Sequence, residues 1–497
     1  MGKIIFANDK VSANKLSRKA KIGKLKRVYH GIYTDDLDTA DTKIIQKNWM
    51  NIISYLVPGG ILSFRSALNL RLIPYEDNNL IVFVTSTYNK TIKLPGLIIK
   101  IHQGDNKNFT EQMHPDLLRT NEARTLLENL TPTRSLRGVK TVSTEEIETH
   151  LAKILHNRGE DALNYLRDQA RDISHQLSLV NEFEKLNAKI RALLSTHEES
   201  TILTSKYAKA IMKKEPYDSG RIQLFIDLST YLQQCNFIER HYVYERSAFK
   251  NLAFFESYFS NYIEGTKFII DEAEDIVFSG KTINSRHADS HDVLANFRIC
   301  NDYLGISKTP SSASELINLL QSRHAILMSE RPEISPGNFK DRNNRAGNTF
   351  FVGAKDVVGT LTQSFDIYES LPEGMHRALF IHFVISEVHP FNDGNGRISR
   401  MMLNAELVKY QKYKIIIPNV YRESYMNALK AVTRDSYFLA YCKMMDTAQA
   451  YTTSVPWYDY PAARSKIEVD RAEQEEDEGL PIFNRAVQKL TLTEFPR

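Results

Sequence analysis

The stretch HPFNDGNGRISR, residues 389–400, decides how the rest of the chain is read. Before it, GMHRALFIHFVISEV (374–388) reads as a buried helix that should stop at His389, because the residue preceding Pro390 is pushed out of helical geometry. After it, RISRMMLNAELVKY (397–410) is helical again. The twelve residues are therefore a helix-loop-helix. Gly394 and Gly396 let the backbone turn sharply and approach a ligand with no Cβ in the way. The amides that open the second helix point outward with the positive end of its dipole, so the loop is an anion cradle.

The side chains fit that cradle. Arg397 and Arg400, at i and i+3, project from one helix face just beyond it and suit further phosphate oxygens. Asp393 would repel bare phosphates, so its place here makes sense if Mg²⁺ bridges it to them. His389 faces the loop from a helix end, with an ordinary pKa of about 6.5 that suits proton removal from a hydroxyl. Taken singly, a helix-terminal His is a cap, Gly-Asn-Gly is a turn and two arginines are a wet helix face. Base, metal ligand and charge clamp in this order assemble a site for in-line attack on a nucleotide phosphate.

HPFNDGNGRISR matches the Fic family pattern H-x-F-x-[D/E]-G-N-G-R-x-x-R at every defined position, and the chain resembles that family over roughly residues 215–450. The resemblance implies a mainly α-helical core and transfer of AMP from ATP to a Ser, Thr or Tyr hydroxyl of a target protein. By the same resemblance His389 is the general base, Phe391 the buried anchor of the loop, and Asp393 the Mg²⁺ ligand. Gly394, Asn395 and Gly396 form the α/β-phosphate hole, and Arg397 and Arg400 bind the β- and γ-phosphates. Doc-type relatives that phosphorylate carry Lys where Gly396 stands, so Gly396 favours AMP transfer. NNRAGNTFFVG (343–353), with Asn344, Gly347, Thr349 and Phe351, is the expected β-hairpin flap, whose edge would pair with a target backbone. SNYIEG (260–265) resembles the family's inhibitory [S/T]-x-x-x-E-[G/N] element, on a helix near 254–266 packed down by Phe255, Tyr258, Phe259 and Tyr262. With Ser260 and Gly265 framing it, Glu264 would place a carboxylate on Arg400 and keep ATP out of its productive pose. In some relatives the same glutamate supports removal of AMP, so a deAMPylase remains an alternative.

The remainder sets limits. The chain has 497 residues, of which 42% are hydrophobic, enough for two or three domains with real cores. No stretch approaches the about 18 uninterrupted apolar residues of a membrane span, and MGKIIFANDK lacks an apolar signal core, so a cytoplasmic protein without a membrane partner is expected. Cys235, Cys300 and Cys442 are odd in number and widely spaced, as buried reduced thiols would be. RHADSH offers His287 and His291 at i and i+4 but no third metal ligand, and there is neither a GxxxxGK[ST] loop nor a GxSxG elbow.

The first 30 residues hold nine basic side chains (Lys3, Lys10, Lys15, Arg18, Lys19, Lys21, Lys24, Lys26, Arg27) against one acid, Asp9. With LKRVYHGIYT (25–34) and ILSFRSALNLRLI (61–73) they resemble the winged-helix region of AbiEi-type antitoxin regulators, with Gly31, Ile32 and Tyr33 at the matching place. DNA is the partner that module would take, and a DNA-binding regulator or a toxin-antitoxin fusion is the competing class to the enzyme. A homo-oligomer is left open. The expected architecture is mainly α: a small α/β winged-helix-like module at 1–140, a helical linker region at 141–214, a Fic core at 215–450 and a tail at 451–497 carrying EQEEDE (473–478) as a solvated linker. Within it, LSFRSALNLRLI is expected to be helical, NLIVFVTS and TIKLPGLIIKIHQ to be strands around an Asn-Lys turn, and Leu163 to Leu193 to be one long amphipathic helix or two.

Overall fold

A computed structural model describes residues 3–104, 108–114, 117–133, 136, 138–194, 202–283 and 286–496. The chain divides into two compact units, Met1–Lys214 and Glu215–Arg497.

The first unit is α/β. Strands Lys26–Tyr29 and Ile32–Thr34 form the expected hairpin, turning at Gly31 (φ 74°), and Ile4–Phe6 adds antiparallel to Ile32–Thr34. A larger mixed sheet centres on Leu80–Ser86, where six consecutive residues from Ile81 are buried; such a run belongs to a strand covered on both faces. TIKLPGLIIKIHQ is two strands, not one. Pro95-Gly96, with Gly96 at φ 71°, folds Lys90–Leu94 back on Leu97–Gln103, which pairs parallel to Leu80–Ser86. LSFRSALNLRLI supplies only the short helix Phe64–Asn69, ended by Leu70 at φ 51° and flanked by strands Ile61–Leu62 and Ile73–Pro74. The apolar stripe from Leu163 onward is carried by two helices, Thr144–Gln176 and Val180–Leu194, and the break at Ser178 (φ 56°) accounts for the one-residue slip in its spacing. Both belong to the first unit.

The second unit is helical. At its centre, Met375–Val388 has Leu379, Phe380, Phe383, Val384, Ile385 and Val388 without exposed surface, apolar all round as a helix enclosed by others must be. Asn395–Lys409, Ser219–Gln233 and Val357–Ser370 pack against it. Arg246–Ile263 packs on His287–Asn301 and Asn395–Lys409. Residues 451–496 are not a loose tail. Trp457 enters the same core, as do Ile467, Phe483 and Val487 through helices Tyr460–Val469 and Glu476–Val487, and Thr493 is hydrogen-bonded to Asp446. The acidic run likewise begins a helix, where negative charge offsets the dipole, and Glu475 binds Tyr262 and Lys267. No described helix is long and apolar enough to cross a membrane.

Candidate active site

Helix Met375–Val388 ends before Pro390 as expected, and His389 takes a left-handed conformation at φ 51°. This left-handed turn brings the imidazole to a cavity of about 370 Å³, lined also by Glu264, Phe351, Gly396, Arg400 and Tyr425. His389 Nδ1 lies 3.3 Å from the Ser386 carbonyl, to which only a protonated Nδ1 can donate, so Nε2 keeps a lone pair for an incoming proton. Phe351 lies flat on the ring, centroids 3.8 Å apart and planes within 3°. Burial pushes the His389 pKa down to about 4, which leaves the imidazole uncharged at neutral pH.

The loop is held from behind. Phe391 is fully buried and stacks on His324 at 3.8 Å. The Gly337 N–H donates to His324 Nδ1 at 2.9 Å, so Nε2 carries the proton and donates to the Asp393 carbonyl at 3.1 Å. Asn395 is turned into the loop, its side chain accepting from Phe391 N at 2.8 Å and donating to Phe391 O at 2.9 Å. It thereby fixes the shape of the loop. Gly394 caps the second helix at φ 76°, and its N–H donates to Asp393 Oδ1 at 2.6 Å. A Cβ at Gly394 would press on Met328 Sδ at 3.1 Å; one at Gly396 would overlap Glu264 Oε1.

The two arginines part company. Arg400 Nη2 donates to Glu264 Oε1 at 2.7 Å and to the Ser260 carbonyl at 3.0 Å, while Nε donates to Ser260 Oγ at 3.0 Å. Glu264 caps the C-terminus of helix Arg246–Ile263, and Gly265, at φ 94°, turns the chain away. Arg397, 3% exposed, is bound through Nη1 to Asp292 Oδ2 at 2.7 Å and Asn261 Oδ1 at 3.3 Å, with Nη2 left 3.9 Å from Asp393 Oδ2. Asp292 also takes Arg331 Nε at 2.9 Å.

The flap is the expected hairpin, Arg345–Ala346 against Thr349–Phe350, turned by Gly347 at φ 56°. Thr349 and Phe351 line the cavity; Asn344 Nδ2 donates to the Phe391 carbonyl at 3.1 Å and so binds the flap to the loop. Lys340, whose pKa burial lowers to about 8, donates to Asn344 Oδ1 at 2.6 Å and to the Val388 carbonyl at 3.2 Å. Sequence reading singled out the loop, the hairpin and Glu264, which meet at this cavity. It missed Asp292, His324 and Lys340, each a lone polar residue far along the chain from the motif, and none carries a local signal that would have marked it.

Residues 316–407 match the Fic/DOC family model. Protein adenylyltransferase Fic of Drosophila willistoni is 25% identical over 223 residues, which cover 42% of this chain and 44% of the relative, and that of Drosophila melanogaster is 25% identical over the same length, covering 42% and 45%. The chain thus spans less than half the length of these relatives. Among solved structures, Fic-1 from C. elegans is similar at 15% identity and a TM-score of 0.36, covering 65% of this chain and 94% of that one. A Fic domain containing signaling protein from Bacteroides thetaiotaomicron is similar at 17% identity and a TM-score of 0.34, covering 47% and 97%. The match to the Fic/DOC family model thus takes in the helix-loop-helix of His389 to Arg400.

Proposed function

We propose that this chain is a protein adenylyltransferase that transfers AMP from ATP to a Ser, Thr or Tyr hydroxyl of a target protein, and that Glu264 restrains it. One observation carries the reading: a neutral imidazole, a glycine-lined helix N-terminus and a buried guanidinium line one cavity, and the guanidinium is occupied by a carboxylate of the chain itself. His389 Nε2 takes the hydroxyl proton, the oxygen attacks the α-phosphorus, and pyrophosphate leaves. The amides opening helix Asn395–Lys409 stabilise the phosphate oxygens. Arg400 clamps the γ-phosphate once Glu264 yields, and Arg397 Nη2 faces the loop from the Asp393 side.

The Asp393 carboxylate fits Mg²⁺, since its side chain is 52% exposed at the cradle rim and its Oδ2 lies as far as 3.9 Å from Arg397 Nη2. Bound there, the ion would neutralise phosphate charge. Incubation of Glu264→Gly and Glu264→Gly/His389→Ala proteins with labelled ATP and a cell extract tests the reading. Bands confined to the first protein support it, and none in either removes it. Labelled proteins that lose AMP on addition of wild type would instead favour the deAMPylase.

A second reading concerns the first unit. Helix Lys10–Lys21 presents Lys15, Arg18, Lys19 and Lys21 around one shallow surface pocket, suited to nucleic-acid phosphates. Duplex DNA binding by the full chain that weakens linearly in log–log plots against salt would support a regulatory role, and salt-independent or absent binding would remove it.

A further inference from the structure

Arg221 stands in the first turn of helix Ser219–Gln233, where its backbone N–H closes on the capping carboxylate of Asp218 at 3.0 Å. Its Nη2 donates to the Phe350 carbonyl at 2.7 Å and lies 2.9 Å from Glu387 Oε1. Glu387 is 3% exposed, lines the cavity, and accepts from Thr433 Oγ1 through its other oxygen at 2.7 Å. One guanidinium thus joins the flap to the wall of the cavity, two residues before the base.

The flap needs such an anchor. Each of its strands is two residues long, and Phe350 is 66% exposed, so the hairpin has little packing of its own. Asn344 holds the first strand to the motif loop, and Arg221 holds the second. Phe351, the residue after the Arg221-bound carbonyl, is the one that covers His389.

We propose that Arg221 is a positioning residue that ties the second flap strand to Glu387, keeping Phe351 on the imidazole and the flap edge in one register toward the target backbone. Only the last of these roles rests on the adenylyl-transfer reading.

Amide hydrogen exchange on the full chain tests the tie directly. Arg221→Ala should speed exchange across 345–351 by about tenfold or more relative to helix Asn395–Lys409, with Arg221→Lys in between. Arg221→Ala leaves Glu387 buried without its cation, which can disturb the fold. The double variant Arg221→Ala/Glu387→Gln removes that charge and should still show the fast flap. Unchanged exchange in the double variant overturns the proposal. In the Glu264→Gly background, Arg221→Ala should cut labelling of extract proteins by about tenfold while ATP affinity by calorimetry moves less than about twofold. Equal labelling overturns the register role. If Glu264→Gly itself labels nothing, the adenylyl-transfer reading fails, and exchange still decides whether Arg221 holds the flap.

Discussion

Glu264 Oε1 sits 2.7 Å from Arg400 Nη2 and occupies the space that a Cβ on Gly396 would need. The carboxylate therefore pairs with Arg400 and at the same time lies against the first turn of helix Asn395–Lys409.

Removing that carboxylate should open the site. Glu264→Gly is expected to tighten ATP binding by about tenfold or more, the factor matching loss of ~1.4 kcal/mol of internal competition. Glu264→Gln keeps the shape and loses the charge, and should fall between. The Glu264 side chain is 28% exposed but Arg400 only 6%, so losing the carboxylate leaves a buried guanidinium and costs up to roughly 3–5 kcal/mol. Isothermal calorimetry and urea unfolding of the three proteins check both statements.

Gly396→Ala separates the clamp from the cradle. The new methyl overlaps Glu264 Oε1 and must displace it, yet it also intrudes where phosphate oxygens would lie. ATP binding should stay weak in Gly396→Ala and in Gly396→Ala/Glu264→Gly alike, while Glu264→Gly alone binds. Tight binding by the double variant would show that Gly396 serves only to make room for the glutamate.

Asp292 is fully buried between Arg397 and Arg331. Asp292→Ala leaves Arg397, itself 3% exposed, without its carboxylate, a change that costs roughly 3–5 kcal/mol. Thermal and urea unfolding should register the loss. Arg331→Ala, whose side chain is 23% exposed, should cost far less.

Acid should weaken the second unit through its buried histidines. Burial lowers the pKa of His389 and His324 to about 4 and of His382 to about 3, against an ordinary value of 6.5. The unfolded chain therefore binds protons first as pH falls, so stability present above about pH 6.5 is lost progressively down to about pH 4. The limiting slope is about 1.4 kcal/mol per pH unit for each histidine. Urea unfolding at pH 7 and pH 5 measures it, and His389→Ala should reduce the difference by about one histidine's share.

The motif loop was legible because its causes are contiguous. Pro390 forces His389 out of the helix, Gly394 supplies the left-handed cap, and Asn395 closes on Phe391 four residues away. The flap and the Glu264 helix carried short signatures of the same local kind. Pairing in the first unit was less legible: a parallel partner such as Leu97–Gln103 is chosen by packing across the sheet, and an Asn-Lys step looks like a hairpin turn from within the chain.

By itself the sequence determined where the backbone must turn and which residues stand around the cradle, since backbone sterics act between neighbours. Tertiary structure decided how the other charges pair, the contact of Glu264 with Arg400 being the one the sequence itself suggests. Asp292 takes one of two similar arginines and Glu264 the other, while Arg221 reaches across to Phe350 and Glu387. Such pairings depend on which side chains lose their water together, and that is fixed only when distant helices close on one core.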